Sequence, residues 1–329
     1  MSLVRFRLWA FLLLIFSHFF EVAFFIAKNT VFLLKAGCYT KVTTASEANA
    51  GGCMREQQRK LFCEISPFTY KLARCKCILQ RMIKDILSKD CFAKEKSNEV
   101  LPVLIYGHKS LIRRKLGNVD LVLQENKATN LSIAAPKVSG ILMKPGETFS
   151  FWQLVGAPSE RKGYQTGLVI EKGKPSKGTG GGMCQFTNLI HWMILHSPLD
   201  IVEYHHHDNL DLFPDFGRQV PFGTGTSVFY NYGDYRFKNN TEKTFQIIVY
   251  TTEEYLCGEL RATQALPESY HIDVEDEFFS REDGVVYRNN KIYRFIHDKS
   301  TGNLISKTMI KENHAKVMYE TEGLDVREG

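Results

Sequence analysis

The sequence predicts an α+β fold in which a mostly antiparallel sheet packs on a central buried helix that starts at Cys184. From Val100 onward, short segments rich in β-branched and aromatic residues alternate with turn residues, as antiparallel strands do. Residues 184–195 are apolar on almost every side, which indicates a helix inside the core. Residues 270–319 predict a hairpin meander. Its turns are expected at 283–284, 289–290 and 301–303.

Length and composition fit a globular protein with a sizeable core. Of the 329 residues, 44% are hydrophobic and 12% aromatic, which excludes a largely disordered chain. The net charge of +6 is mild for this length and the basic residues are scattered, so no nucleic-acid partner is expected. The eight cysteines are too sparse for a disulfide framework.

Residues 1–53 are assigned to an N-terminal hydrophobic segment and its linker. Residues 8–27 form an apolar stretch of about the length that spans a bilayer, preceded by Arg5 and Arg7, and are a candidate membrane anchor. Met54 opens a segment that could equally begin a soluble protein. We therefore expect an extracytoplasmic, membrane-anchored protein if 8–27 is an anchor, and a cytoplasmic one if translation starts at Met54.

A helical region is expected over residues 54–124. Between Pro67 and Lys94, apolar residues recur at helical spacing and basic residues populate the opposite side, which predicts an amphipathic helix. The basic side could touch an anionic membrane, but a solvated outer face is the favoured interpretation.

Further strands are expected between this helix and the meander. They cover 101–106, 119–124, 142–151, 167–171, 226–232 and 244–251. Residues 125–255 are assigned to one domain, which contains the central helix, and 256–329 to a C-terminal β-hairpin extension.

The candidate chemistry centres on Cys184. This cysteine follows Gly180, Gly181 and Gly182 and precedes the buried helix. Free N–H groups and the positive end of the helix dipole should therefore stabilise its thiolate and lower its pKa. The glycines leave no side chains above the sulfur. Their N–H groups, with Gln185 beside them, could bind substrate and stabilise an oxyanion.

A base for this cysteine is expected shortly after the helix. His205 and His207 follow a predicted strand entrance, where alternation places them on the same side. Either imidazole could therefore reach Cys184 and accept its proton. Candidates to orient the imidazole are Glu203, Asp208 and Asp234.

Other interpretations of these residues stay open. Cys184 could be an inert packing residue, as cysteines at helix starts often are. Together with His205 and His207 it could instead hold zinc or copper, although neither a metal nor a cofactor is predicted. The glycine run lacks the Lys and Ser/Thr of a P-loop, which disfavours a phosphate cradle.

Several motifs occur together in the order and spacing of a known domain. They are Asn130–Leu131, PGETFSFW at 145–152, Gly163–Tyr164, GGGMCQ at 180–185, Glu203 with His205 and His207, and DYRFKNNT at 234–241. On these residues the chain resembles the VanW family, and 125–255 is assigned as its VanW domain. The resemblance implies a role in the bacterial cell envelope or in glycopeptide resistance.

Some VanW-domain proteins act as L,D-transpeptidases through a cysteine acyl-enzyme. The resemblance carries this role to Cys184, with His205 or His207 in support. The first hypothesis is therefore a cysteine acyltransferase that acts on peptidoglycan stem peptides. The second is a non-catalytic accessory protein that binds a cell-wall precursor or a partner, and the third is a metal-binding protein. No oligomeric state is predicted.

The chain departs from the family pattern in two places. Residues 220–226 read VPFGTGT where many members have Pro-Pro-Gly-Arg-Asp-Ala. Tyr204 and His206 stand where an Arg and a Pro commonly flank the first family histidine. Both departures lie next to the expected site, so they bear on which substrate it would accept.

Overall fold

The computed structural model describes residues 61–114, 121–171, 174–206, 209–215 and 219–328. The candidate anchor at 8–27 and the boundary at 53 lie outside these residues. Across the described ranges, no helix combines the length and the apolar character needed to cross a bilayer. The α-helices are α1 (Pro67–Leu87), α2 (Leu121–Val138), α3 (Phe151–Val155) and α4 (Met183–Leu195).

The other main elements of the described residues are strands. They are β1 (Cys91–Phe92), β2 (Val103–Leu111), β3 (Ile141–Met143), β4 (Glu147–Ser150), β5 (Thr166–Glu171), β6 (Lys174–Thr179), β7 (Asp200–Glu203), β8 (Leu210–Asp211), β9 (Arg236–Lys238), β10 (Phe245–Thr251), β11 (Tyr255–Ala262), β12 (Glu268–Glu282), β13 (Val285–Asp298), β14 (Leu304–Val317) and β15 (Val326–Glu328).

The strands form three larger sheets and one hairpin. Their orders are β1-β4-β9-β7, β2-β11-β10-β3, β15-β12-β13-β14-β8 and β5-β6. Between the described strands, pairing is antiparallel except for β1 with β4, β12 with β15 and β14 with β8. The expected α+β fold with mostly antiparallel sheets is confirmed. The helix expected to start at Cys184 begins one residue earlier, at Met183, with Gly182 as its N-cap.

Helix α4 packs against β2 and β11. Its residues are apolar on most sides, and the aromatic and aliphatic ones are buried, because sheet and loops cover the helix around most of its circumference. Gly258 on β11 permits the close approach. A Cβ there would lie 2.8 Å from Met193 Cε and 2.9 Å from Leu189 Cδ2.

Some local predictions were wrong. Residues 121–124 begin helix α2 instead of ending a strand, since a short apolar run fits either structure. Residues 226–232 form isolated bridges and not a strand. The turn expected at 289–290 lies inside β13, where Asn290 Nδ2 donates to the carbonyl of Phe222 and Asn313 Nδ2 donates to Asn290 Oδ1. The amphipathic helix exists but ends at Leu87.

The turn expected at Asp283–Gly284 is confirmed. These residues join β12 to β13, and their φ angles are 48° and 77°. Two positive φ angles in a two-residue loop match the right-handed twist of the flanking strands.

Candidate functional site

A cavity of about 950 Å³ opens beside the start of α4. Its wall includes the glycine loop (Gly180, Gly181 and Gly182), Cys184 and Gln185. It also includes side chains from α1, β2 and α2, and the segment 220–226. The glycine loop, Cys184 and Gln185 therefore line a space large enough for a small peptide.

The glycine loop is held in place by Asn130 on α2. This fully buried side chain donates Nδ2 to the carbonyls of Gly181 and Gln165, at 2.9 and 3.0 Å, and its Oδ1 accepts the N–H of Gln165. A Cβ on Gly181 would lie 2.6 Å from the carbonyl carbon of Gly167. Only glycine lets these two backbones meet, so the glycine loop is rigid and closely packed.

Lys127 lies directly beneath the glycine loop. A Cβ on Gly182 would meet Lys127 Cγ at 2.7 Å. Lys127 is 8% exposed, lines the cavity, and has no hydrogen bond or ion pair with any described residue. Burial and the nearby charges of Arg114 and Arg113 lower its pKa to about 7. Among the described residues, this amine therefore has no carboxylate partner.

Cys184 is half-buried and packs against the hydrophobic core. Burial raises the pKa of its thiol, although the backbone N–H groups of Val228 and of Cys184 itself act in the opposite direction. The expectation of a lowered pKa is therefore wrong for the protein without a ligand, because loss of hydration outweighs the helix dipole and the backbone donors.

His206, and not His205, lines the cavity together with Cys184. The backbone of His205 bridges to Ser227, and its Nε2 lies 2.9 Å from Glu203 Oε1. His207 and Asp208, also proposed from the sequence, lie outside the described residues. Alternation was expected to turn His205 and His207 toward Cys184, but the middle histidine lies on the cavity wall instead.

The carboxylates Glu203 and Asp234 belong to an ion-pair network under the cavity. Glu203 accepts two hydrogen bonds from Arg81, at 2.7 and 2.5 Å, and also contacts His205. Burial alone would raise the pKa of Glu203, but the hydrogen bonds from His205 and Arg81 lower it to about 2. Glu203 is therefore hydrogen-bonded to His205, and its role in orienting a catalytic imidazole stays a prediction.

Asp234 serves the fold. Its fully buried carboxylate accepts hydrogen bonds from Ser150 Oγ, the N–H groups of Trp152 and Tyr235, and Arg236 Nε. These four hydrogen bonds link β4, α3 and β9. They occupy the carboxylate, and none of the four donors is a histidine.

Gln185 lines the cavity and is also hydrogen-bonded to β2, because its Nε2 donates to Ser110 Oγ at 2.9 Å and to the carbonyl of Leu111 at 2.8 Å.

Among the described residues, no group of three His, Cys, Asp or Glu side chains could hold a metal ion. The metal site proposed from Cys184, His205 and His207 includes a residue outside the described ranges.

The C-terminal hairpins support the segment 220–226, which lines the cavity. Asn290 and Asn313 fix the carbonyl of Phe222, and the guanidinium of Arg288 lies 4.6 Å from the Phe222 ring centre. A Cβ on Gly223 would overlap Asn313 Nδ2 at 2.0 Å. The segment that departs from the family pattern is thus positioned by the last third of the chain.

No site role was predicted from the sequence for Lys127, for Asn130, which was noted only as part of a family motif, or for His206. A signal was present for the first two: Gln124, Lys127, Asn130 and Leu131 are spaced by one helical turn or less, on the face of α2 that is buried. Polar residues on the buried face of a helix indicate either a satisfied network or a binding site. Asn130 is the former, and Lys127 has the properties of the latter.

Comparison with known proteins agrees with these motifs. A family model described as VanW like protein matches residues 126–261. Vancomycin B-type resistance protein VanW of Enterococcus faecalis is 32% identical over 239 residues, which cover 72% of this chain and 86% of that protein. Uncharacterized protein YoaR of Bacillus subtilis is 32% identical over 118 residues, 35% of this chain and 36% of that protein. No solved structure matches significantly. The chain belongs to the VanW family.

Proposed function

We propose that the cavity binds a peptidoglycan stem peptide or its precursor through a carboxylate, in the context of glycopeptide resistance. The observation that carries the proposal is Lys127, a buried amine in a wall of the cavity with no counter-ion among the described residues. A ligand carboxylate there would recover the electrostatic energy that burial costs the ammonium.

The rest of the cavity wall supports an anionic peptide-type ligand. Arg74, Arg114 and Arg161 also line it, against the carboxylates Glu160 and Asp211. Asp211 already accepts a hydrogen bond from the hydroxyl of Tyr319 and pairs with Arg288. The positive potential therefore dominates, which favours an anion and speeds its entry.

The relatives supply the chemical context. The Enterococcus faecalis protein is named for vancomycin resistance, and the family resemblance implies the cell envelope. A stem peptide ends in a free carboxylate and offers amide groups along its length. Those amides suit the polar side chains of Gln124 and Asn188, which also line the cavity.

The direct test is calorimetric titration with the pentapeptide L-Ala-γ-D-Glu-L-Lys-D-Ala-D-Ala and with its C-terminal amide. We expect the free acid to bind and the amide to bind at least tenfold more weakly, because the amide lacks the charge that pairs with Lys127. Lys127→Met should weaken binding of the acid, whereas Lys177→Met, an exposed lysine of β6, should not. Equal affinity for acid and amide would contradict the proposal.

A second candidate function is acyl transfer by Cys184. It is favoured by a specific arrangement: Cys184 lines the same cavity as Lys127 and His206, and the backbone N–H groups of Val228 and of Cys184 oppose the rise that burial causes in the pKa of its thiol. A ligand that excludes water and pairs with the cationic groups would change the pKa values of Cys184, Lys127 and His206.

The step would proceed as follows. The neutral amine of Lys127 or the imidazole of His206 takes the thiol proton, and the thiolate attacks the carbonyl before the terminal D-residue. The amine of that residue leaves with the proton, and a thioester remains on Cys184. An acceptor amine then attacks the thioester, forms the new amide bond and releases the thiol.

Mass spectrometry separates the two candidates. With the tetrapeptide L-Ala-γ-D-Glu-L-Lys-D-Ala, in which the carbonyl before the terminal D-residue belongs to an L-residue, acyl transfer predicts release of D-alanine and an adduct on Cys184 that Cys184→Ala abolishes. Simple binding predicts neither product, and Cys184→Ala should keep the affinity. In cells, an identical muropeptide cross-link profile for wild type and Cys184→Ala would remove the acyl-transfer candidate.

A further inference from the structure

We propose that helix α1 lies flat in the surface of a membrane rich in anionic lipid. The helix is amphipathic, but it is turned the opposite way from an ordinary surface helix, which packs its apolar side against the protein. Its polar side contacts the protein and its apolar side faces outward, and none of its residues is fully buried. The proposal concerns a surface distinct from the cavity and does not depend on the proposed function.

The polar side is docked by two arginine–carboxylate pairs. Arg81 of α1 pairs with Glu203 of β7 through two hydrogen bonds. Arg236 of β9 pairs with Asp85 of α1, at 2.8 and 2.7 Å. All four side chains are less than one-fifth exposed. An arginine–carboxylate pair with two hydrogen bonds fixes the orientation of its partners as well as their distance. The two pairs therefore define the rotation of α1 about its own axis.

The apolar side lies opposite these pairs. At 100° per residue, Phe68, Leu79 and Ile86 lie roughly 120–160° from Arg81 around the helix. Phe68 is 73% exposed and Ile86 is 67% exposed. The remaining exposed apolar side chains of the helix are Leu72, Met82, Ile83 and Leu87. Exposed apolar faces of this extent mark an interaction site.

The charges beside this face identify the occupant. Lys71 and Lys76 flank it and are exposed, and the one acidic residue of the helix, Asp85, is engaged by Arg236. An isologous pair of α1 helices from two copies would bring these lysines together, which is unfavourable. Anionic headgroups complement them, and the apolar side chains fit the boundary between headgroups and acyl chains.

The first experiment measures partition of the full chain into vesicles of phosphatidylglycerol and phosphatidylcholine, compared with phosphatidylcholine alone. Lys71→Gln combined with Lys76→Gln should lower partition into the anionic vesicles by about 30-fold, since each basic residue near an anionic surface strengthens binding roughly fivefold. Leu79→Gln combined with Ile86→Gln should lower it at least tenfold. The matched control is Leu304→Gln combined with Ile305→Gln, two exposed apolar residues of β14, and should have no effect.

A second measurement isolates α1 from the apolar stretch at 8–27, which could bind vesicles by itself. Benzoylphenylalanine is placed at Leu79 or, as control, at Leu304 of the full chain, and is photolysed with the anionic vesicles. We expect a phosphatidylglycerol adduct at position 79 and none at 304. An adduct to a second chain, an adduct to residues 1–60, or no lipid adduct at 79 would each overturn the proposal.

Discussion

Replacement of Lys127 by Met should stabilise the protein while it removes ligand binding. Met keeps the length and the methylene groups of the side chain but not the ammonium, so packing under the glycine loop is preserved. The pKa of Lys127 falls from 10.5 to about 7 on folding. At about 1.4 kcal/mol per pH unit, that difference corresponds to a cost of about 5 kcal/mol for the charged form in the folded state. Since Lys127 is 8% exposed, solvent screening removes little of this cost.

The sign of the pH dependence follows from linkage. Above pH 7 the folded protein has lost the Lys127 proton, whereas the unfolded chain keeps it up to pH 10.5. The unfolded state therefore binds more protons in this window, and wild-type stability rises with pH by up to about 1.4 kcal/mol per unit. Lys127→Met lacks this contribution. Its advantage should reach its full value below pH 7 and should shrink by about 2.3 kcal/mol between pH 7 and pH 9.

Urea unfolding at pH 7, 8 and 9 measures these differences directly. We expect Lys127→Met to exceed wild type by several kcal/mol at pH 7, with about 5 kcal/mol as the upper bound. Lys177→Met, the exposed control, should follow the wild-type curve at every pH. A variant less stable than wild type at pH 7, or a gap that does not change with pH, would refute the account of Lys127 as an uncompensated buried cation.

The remaining predictions concern the network, the cavity wall and the thiol. Glu203→Ala should destabilise the protein by about 3–5 kcal/mol, because Arg81 loses its partner in a partly buried position. Wild type itself should lose the contribution of Glu203 to stability as pH falls from about 4.5 to about 2. Thermal unfolding at pH 7 and pH 3 tests both expectations. Gly223→Ala should lower the free energy of unfolding by about 2–4 kcal/mol, because the new Cβ would overlap Asn313 and the φ angle is +87°. Gly146→Ala, at a φ of +81° with nothing within 4 Å, should lower it by about 1 kcal/mol. Urea unfolding measures both values. Without ligand at pH 7, Cys184 should react with iodoacetamide more slowly than the exposed Cys75, because burial raises its pKa; faster labelling of Cys184 in peptide maps would contradict this order.

Periodicity and turn chemistry predicted much of the fold. The 183–195 helix and the meander were accessible because long apolar runs and paired turn residues such as Asp283–Gly284 leave few alternatives. Helix α2 was missed, since its start at 121–124 fits a strand equally well and its buried face includes polar residues. The domain boundaries at 124 and 255 stay predictions.

The candidate site was accessible in part. Glycine spacing located the cavity wall at Cys184, and the family motifs agreed with it. The identity of the cavity histidine could not be predicted, because it depends on the irregular backbone after β7, where His205 bridges to Ser227. The direction of the thiol pKa was also inaccessible, since it reflects tertiary burial that sequence position alone does not determine.

Proton-linked calorimetry at pH 8 tests the central claim most directly. At that pH Lys127 is largely neutral in the free protein, so a carboxylate ligand that requires the ammonium must bring a proton with it. Titration of the pentapeptide in buffers of different ionisation enthalpy should show uptake approaching one proton for wild type and none for Lys127→Met. Binding without proton uptake, or with the same affinity in both proteins, would contradict the assignment of this cavity as a carboxylate site.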